Sequence, residues 1–473
     1  MTTKQKFLRE YLKSIRDGNA AVFAGAGLSR PSGFVVWKEL LRPLAEDIGL
    51  NIDEEHDLTA VAQYVKNESG NRSVINSTIL DAYSIDVNPN ENVSILTRLP
   101  IYTYWTTNYD HLIEEGLRDA NRSADVKTDY KQLSNTKRDR DAVVYKMHGD
   151  ADRPGDAVLT KDDYVQYEKK FPLFRSVLQG DLISKTFVFI GFSFEDPNLD
   201  IILNQVKLLF DENIRNHYCF MKRVVKTDSM DDENYGYQKA RQNLREKDLK
   251  RYGIQTIYID DYTEITDILK ELESAVLANN VFISGSAETF DDNWDKEKTD
   301  ELAYKLSHEL VKEGFKVTSG FGIGLGSSVI NGALDEIYDN KYKHISDYLS
   351  LRPFPQGIMD EEERNLKWKK YREDIMEENG IVVFMTGNKK VEDKNMVSDG
   401  CLKEFEIAKE KNCSIIPIGS TGGAAEVIYN EMKKNKDDYP YLDKYFEILG
   451  TEVDVDKIVD VVIEIAKEKR LVK

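Results

Sequence analysis

The sequence predicts an α/β protein of two domains, each a mostly parallel sheet flanked by helices. Three observations carry this: short apolar runs alternate with stretches of helical periodicity, small polar residues and glycines close most of those runs, and the pattern restarts near residue 280. At 473 residues the chain accommodates two large domains or three of about 150 residues each. The restart favours two, 1–279 and 280–473.

Residues 3–17 space their apolar side chains as an amphipathic helix, and Asp17-Gly18-Asn19 ends it. AAVFA (20–24) then reads as a buried strand. Further strand-like runs follow at PIYTYWTT (100–107), AVVYKMHG (142–149), TFVFIGFSF (186–194), NHYCFMKR (216–223) and IQTIYID (254–260), separated by helical segments. A helix over TEITDILKELESAVLANN (263–280) closes this series. The second series holds VFISGSA (281–287), FKVTSG (315–320), IVVFMTGN (381–388) and SIIPIGSTGG (414–423), with helical patterning in SVINGALDEIY (328–338). In open parallel sheets, ligands bind where strands end at the carboxyl edge. The polar strand ends are therefore the places to look for chemistry.

Composition narrows the function. The apolar fraction of 41% supports a packed core, and a formal charge of −19 argues against broad adhesion to nucleic acid or an anionic membrane while leaving room for a small anionic nucleotide. The three cysteines, Cys219, Cys401 and Cys413, form no CxxC pair, so no structural zinc and no other metal is expected. Neither a signal-peptide core nor a run of about 20 apolar residues is visible, which makes the cytoplasm the simplest location.

FAGAGLS (23–29) places Gly25 and Gly27 directly after the first strand, where absent side chains allow close approach of a ligand and the amides of a following helix can face it. Alone, GAG after an apolar run is equally a tight structural turn. Arg30 stands where the third glycine of GxGxxG would fall. Other strand ends add weight: Thr106, Thr107, Asn108 and Asp110 in YWTTNYD; His148, Gly149 and Asp150 in YKMHGD; Gly191, Ser193, Asp196 and Asn198 in GFSFEDPN. Any one of these is readily a helix cap or a core residue. Their ordered recurrence is what suggests a site.

These ordered motifs, over residues 1–275, resemble the sirtuin superfamily. FAGAGLS looks like its adenine-dinucleotide loop, TTNYD like its threonine–glutamine–asparagine motif with Thr107 in place of glutamine, KMHGD carries the catalytic histidine, and GFSF is similar to its ribose-binding turn. The resemblance implies NAD as substrate, bound by Ala24, Gly25, Ala26, Gly27, Ser29, Asp110, Gly191 and Ser193. Asn108 would orient the ribose or a water, and His148 would act as general base, the role to which an imidazole is suited near neutral pH. The four-cysteine zinc module of deacylating sirtuins is missing, which shifts the expected reaction from deacylation to hydrolysis of NAD.

In the second half, SGFGIGLGSS (319–328) supplies Gly320, Gly322, Gly324 and Gly326 after a strand, a second candidate phosphate or ribose cradle with a structural glycine turn as the competing account. VFISGSA adds Ser284, Gly285 and Ser286, and two further segments add Arg372 and Lys389. The lysines of KWKK (367–370) read as a solvated face. Residues 281–473 resemble the SLOG family of Rossmann-like nucleotide sensors. The two halves in this order resemble the effector family of Thoeris antiphage defence. That resemblance implies that a TIR-domain partner makes a cyclic ADP-ribose isomer on infection. Ser284, Gly285, Gly322, Gly324, Arg372, Lys389 and Glu404 would bind the isomer, and a homotetramer would then deplete NAD in abortive infection. Arg372 and Lys389 suit a pyrophosphate, and Glu404 suits ribose or adenine donors. The other readings are a nonenzymatic NAD or ADP-ribose sensor and a zinc-independent protein deacylase.

Overall fold

The computed structural model describes residues 3–194, 196–210, 215–227, 230–341, 343–391 and 394–470. The chain divides into two units, Met1–Glu273 and Ser274–Lys473, with the division inside helix Thr263–Leu277.

The first unit is built on seven strands: β1 (Ala20–Ala24), β2 (Thr103–Thr106), β3 (Ala124–Lys127), β4 (Ala142–Lys146), β5 (Thr186–Ile190), β6 (His217–Lys222) and β7 (Ile254–Ile259). They lie in the order β3-β4-β2-β1-β5-β6-β7, and each pairing is parallel. All five residues of β1 are buried, as the all-apolar AAVFA requires of a central strand covered on both faces. Helix Thr3–Arg16 lays Phe7, Leu8, Tyr11, Leu12 and Ile15 against the sheet, and the Tyr11 hydroxyl donates to the Ala21 carbonyl at 2.8 Å. Phe23, Trp105, Phe187 and Phe189 pack with Phe174 and Leu178 of helix Pro172–Ser184. Elsewhere in the unit Leu40, Leu41, Val61, Ile75 and Ile79, from three helices inserted between β1 and β2, enclose Tyr109.

The second unit holds β8 (Asn280–Ser284), β9 (Lys316–Ser319), β10 (Leu349–Leu351), β11 (Ile381–Met385), the antiparallel pair β12 (Asn388–Val391) and β13 (Lys394–Val397), and β14 (Ser414–Ile418). The main sheet runs β10-β9-β8-β11-β14, again parallel throughout. Helices Lys296–Lys312, Gly326–Asp339, Glu361–Glu378, Asp399–Glu410, Gly423–Lys434 and Val455–Arg470 flank it. The fold class expected from the sequence is the one observed. Among the described residues no helix is long and apolar enough to cross a membrane.

Four strands were not apparent in the sequence pattern. In β3 (ADVK) the buried Asp125 and Lys127 pair at 2.8 Å, so charge interrupts the apolar signal of an edge strand. β10 has three residues. β12 and β13 are rich in lysine and asparagine and largely exposed, so neither shows a buried face.

Candidate active site and nucleotide site

Register explains why distant motifs meet. Ile190, Ala24, Thr106 and Lys146, the last residues of β5, β1, β2 and β4, lie side by side in adjacent parallel strands. The segments that follow must leave the same carboxyl edge. Since the chain builds outward from β1 through β2 and later crosses to β5 on the other side, the strand order reverses at β1, the position at which open sheets bind ligands. Asn108 and His148 each stand two residues past a register-matched strand end.

The glycines serve a purpose the sequence did not reveal. A Cβ on Gly25 would lie 2.4 Å from the Gly191 carbonyl oxygen, one on Gly27 2.9 Å from the Gly191 Cα, and one on Gly191 2.1 Å from the Leu28 nitrogen. The amides of Gly25 and Gly27 donate to Ile190 and Gly191 carbonyls, both at 2.9 Å. Two loops far apart in sequence therefore pack backbone against backbone, and these two amides are already engaged within the protein. The helix after the loop is a single turn, Ala26–Ser29, with little dipole to offer. Ala24 is fully buried, and its carbonyl accepts from the Thr106 hydroxyl at 3.1 Å. Ser193 is exposed, and its carbonyl accepts from Arg245 at 2.6 Å.

Gly191 also has φ +66°, in the left-handed region. Gly191→Ala is expected to cost about 3 kcal/mol, combining the left-handed strain with overpacking against Leu28. A thermal melt reads this as a midpoint lowered by roughly 6–12 °C. Gly236→Ala, on helix Asp232–Arg251 with none of the described residues within 4 Å of the added carbon, is the control and leaves the midpoint unchanged or slightly higher.

Asn108 is buried, and its side-chain amide donates to the Ser29 hydroxyl at 2.9 Å while its backbone N–H donates to the Thr106 hydroxyl at 2.9 Å. Asn90 holds the glycine loop from the other side, donating to the Leu28 carbonyl at 2.8 Å and to the Ser32 hydroxyl at 3.0 Å. Asp110 accepts from the Leu112 N–H at 3.1 Å and lines a cavity of about 180 Å³ with Phe34, Tyr83, His111, Glu115 and Asp152. Burial pushes both the Glu115 carboxyl and the Tyr83 hydroxyl above their ordinary ranges.

Beneath the loops runs Lys146, fully buried, whose ammonium donates to the carbonyls of Tyr109 (3.1 Å) and Asp110 (2.7 Å) and pairs with Asp150 (2.6 Å) and Glu114 (3.2 Å). Burial would lower its pKa, but Glu114 and Asp150 outweigh burial and hold it above the ordinary lysine range. This brace ties the Asn108 segment to the His148 segment. Asp150 also accepts from His111 at 2.8 Å, which raises the His111 pKa. Among the described residues His111, Asp150 and Asp152 form the group whose spacing admits a metal ion, with ligand atoms within 4.8 Å of one another. Their contacts are already accounted for by the Lys146 and His111 pairings.

His148 is fully buried against Trp37, Tyr164 and Tyr167, with ring centroids 5.6, 5.7 and 6.4 Å away. Its Nε2 lies 3.0 Å from Asp196 Oδ2, although the ring is turned so that, among the described residues, neither nitrogen makes an aligned hydrogen bond. The distance is that of a hydrogen bond and the angle is not.

In the second unit, the Ser284 hydroxyl at the end of β8 donates to Glu404 at 2.6 Å, and Arg372 Nε lies 3.5 Å from the other carboxylate oxygen. All three are buried. Burial pushes the Glu404 carboxyl up against the opposing pull of Ser284 and Arg372, and pushes the neighbouring Cys401 thiol up to about 12, which leaves that thiol inert. Arg372 stacks over Phe354 and Trp368, 5.0 and 5.8 Å from the ring centroids, and among the described residues its Nε has no hydrogen-bond partner. Trp368 and Arg372 are four residues apart on one helix, a spacing that marks them as neighbours in the sequence itself. Lys389 pairs with Asp399, and a Cβ on the adjacent Gly400 would sit 3.4 Å from the Arg372 guanidinium.

Gly285, Gly322 and Gly324 repeat the logic of the first loop. Added carbons would meet the Met385 carbonyl at 2.3 Å, the Gly285 carbonyl at 2.0 Å and the Ala287 carbonyl at 2.0 Å. The alternating glycines thus let the β8 and β9 loops pack together, and the charged cluster of Ser284, Arg372 and Glu404 is the stronger sign of a ligand.

Residues 102–257 match the SIR2-like domain family, and residues 264–469 match the Sir2- and TIR-associating SLOG family. The NAD(+) hydrolase ThsA of Bacillus cereus (strain MSX-D12) is 44% identical over 465 residues, covering 97% of each chain. That of Acinetobacter baumannii (strain 532279) is 43% identical, covering 95% of this chain and 97% of the relative, and that of Enterococcus faecium is 40% identical over 98% of both. The chain belongs to the ThsA family of NAD(+) hydrolases.

Proposed function

We propose that the first unit hydrolyses NAD to ADP-ribose and nicotinamide, and that the second unit switches this activity on when it binds a cyclic ADP-ribose isomer. The observation that carries the first part is the placement of Asn108 and His148 two residues past neighbouring, register-matched strand ends. In NAD the nicotinamide ring is already cationic. Breaking its bond to ribose C1′ returns the bonding pair to the ring nitrogen and leaves an oxocarbenium-like sugar. Positioning and stabilisation of that developing charge matter more than an acid on the leaving group. Water adds to C1′ and its proton passes to His148, giving ADP-ribose, nicotinamide and one proton per turnover. Asn108, held by Ser29, orients the ribose or the water. Asp110 contacts the carboxamide from the cavity that it lines with Phe34 and Tyr83.

The second part rests on Arg372, a buried guanidinium with unused donor capacity beside Ser284 and Glu404. Its fork suits a pyrophosphate, with Lys389, Gly285, Gly322 and Gly324 around it. Binding energy at this site shifts the resting equilibrium only insofar as the ligand favours the active state. The signal comes from a TIR-domain partner, the working assembly is a homotetramer, and the outcome is NAD depletion and abortive infection.

Product analysis tests the reaction. Equimolar nicotinamide and ADP-ribose from NAD and water, unaffected by an acyl-lysine peptide, is the expected result. O-acyl-ADP-ribose formed from the peptide would overturn it in favour of deacylation.

A further inference from the structure

The carboxylate beside His148 has no part in the chemistry proposed for Asn108 and His148. Asp196 follows β5 and directs Oδ2 to within 3.0 Å of His148 Nε2. The same oxygen accepts the Tyr164 hydroxyl at 3.0 Å, and Oδ1 accepts the Leu199 N–H at 2.9 Å, capping helix Pro197–Phe210. Donors from two elements therefore fix the carboxylate, whose side chain is 6% exposed.

Neither the cap nor the tyrosine requires a negative charge, since serine or asparagine would cap as well. A buried carboxylate without a cationic partner costs several kcal/mol. Among the described residues the side chain within 4 Å that can take up a positive charge is His148, when its ring accepts a proton. Burial pushes the Asp196 carboxyl up, and His148, the Leu199 amide and the Tyr164 hydroxyl together outweigh it, so the group lies below its ordinary range. The other titratable groups packed on the imidazole, Tyr164 and Tyr167 of helix Lys161–Lys170, are pushed up by burial and stay neutral, and Trp37 brings no charge.

We infer that Asp196 is the positioning residue of His148: it takes an N–H from one ring nitrogen, presents the other nitrogen to the water or ribose hydroxyl, and stabilises the imidazolium formed on proton transfer. A small tilt of the ring aligns the 3.0 Å contact, the kind of tightening that accompanies substrate binding. This rests on the reading of His148 as the base, and the test separates the two claims.

Asp196→Asn and Asp196→Ser keep a cap for the Leu199 N–H and remove the charge. In both, the imidazole resonance of His148, assigned by its loss in His148→Ala, is expected to titrate about one pH unit or more lower than in the wild type. With NAD and a saturating cyclic ADP-ribose isomer, kcat is expected to fall at least about 10-fold with little change in KM, and the acidic limb of the pH profile to move down with the resonance. Combined with His148→Ala, either substitution adds no further loss. An unmoved resonance and profile would overturn the inference, as would a rise in nicotinamide release without the activator, which would make the carboxylate a resting-state clamp. The NMR titration needs no turnover, so a wild type that fails to release nicotinamide removes the base assignment while the titration still decides the pairing.

Discussion

Asn108→Ala and His148→Ala are each expected to lower nicotinamide release from NAD at least about 100-fold while leaving a folded protein. The Asn108 side chain reaches Ser29 across neighbouring strand ends, so its removal takes away an orienting group and leaves the Ser29 hydroxyl without that donor. The stability cost is about 1–3 kcal/mol, enough to see in a melt and too small to unfold a unit with an extensive buried core. His148→Ala removes the imidazole proposed as proton acceptor while Asp196 keeps Tyr164 and Leu199 as donors. Release rates measured beside far-ultraviolet circular dichroism check both. Full hydrolysis by both folded variants would refute the site.

The second large effect is expected at Arg372. Arg372→Ala should raise the concentration of cyclic ADP-ribose isomer needed for half-maximal activation at least about 30-fold, the lower bound for truncating one side of a buried charged contact. Hydrolysis without the isomer should stay at its resting level, because the residue belongs to the second unit and not to the NAD site. Arg372→Lys separates charge from shape: an ammonium cannot repeat the two-pronged contact or the stacking on Phe354 and Trp368, so it should restore only part of the response. Titration calorimetry with the isomer should show the same loss of affinity. A normal dose–response in Arg372→Ala would remove the guanidinium from the signal site.

Much of this was legible in the sequence, and the parts that were not share a physical cause. The central strands announce themselves because burial on both faces makes them continuously apolar, as in AAVFA and TFVFI. β3 and the β12–β13 pair carry paired or exposed charges, so they lack that signature. The positions of Asn108 and His148 at strand ends could be read from the chain, but the reason for Gly25 and Gly27 could not. Their constraint comes from Gly191, a contact between loops that only the completed sheet brings together. Lys146 stood two residues before His148 in a motif already singled out, yet its role depends on two carbonyls and the Glu114 carboxylate from the segment after β2. Asp196 likewise had a visible place beyond β5, and its proximity to the imidazole is a tertiary fact. Local pattern locates strand ends, whereas side-chain partnerships across a sheet edge arise from register.

Nicotinamide release from NAD by the purified wild-type protein, measured with and without cyclic ADP-ribose isomers and alongside Asn108→Ala, tests the central claim most directly. Release that appears with an isomer and vanishes in Asn108→Ala is the predicted result. Binding of NAD and of the isomer with no nicotinamide released would contradict it and leave a nonenzymatic sensor.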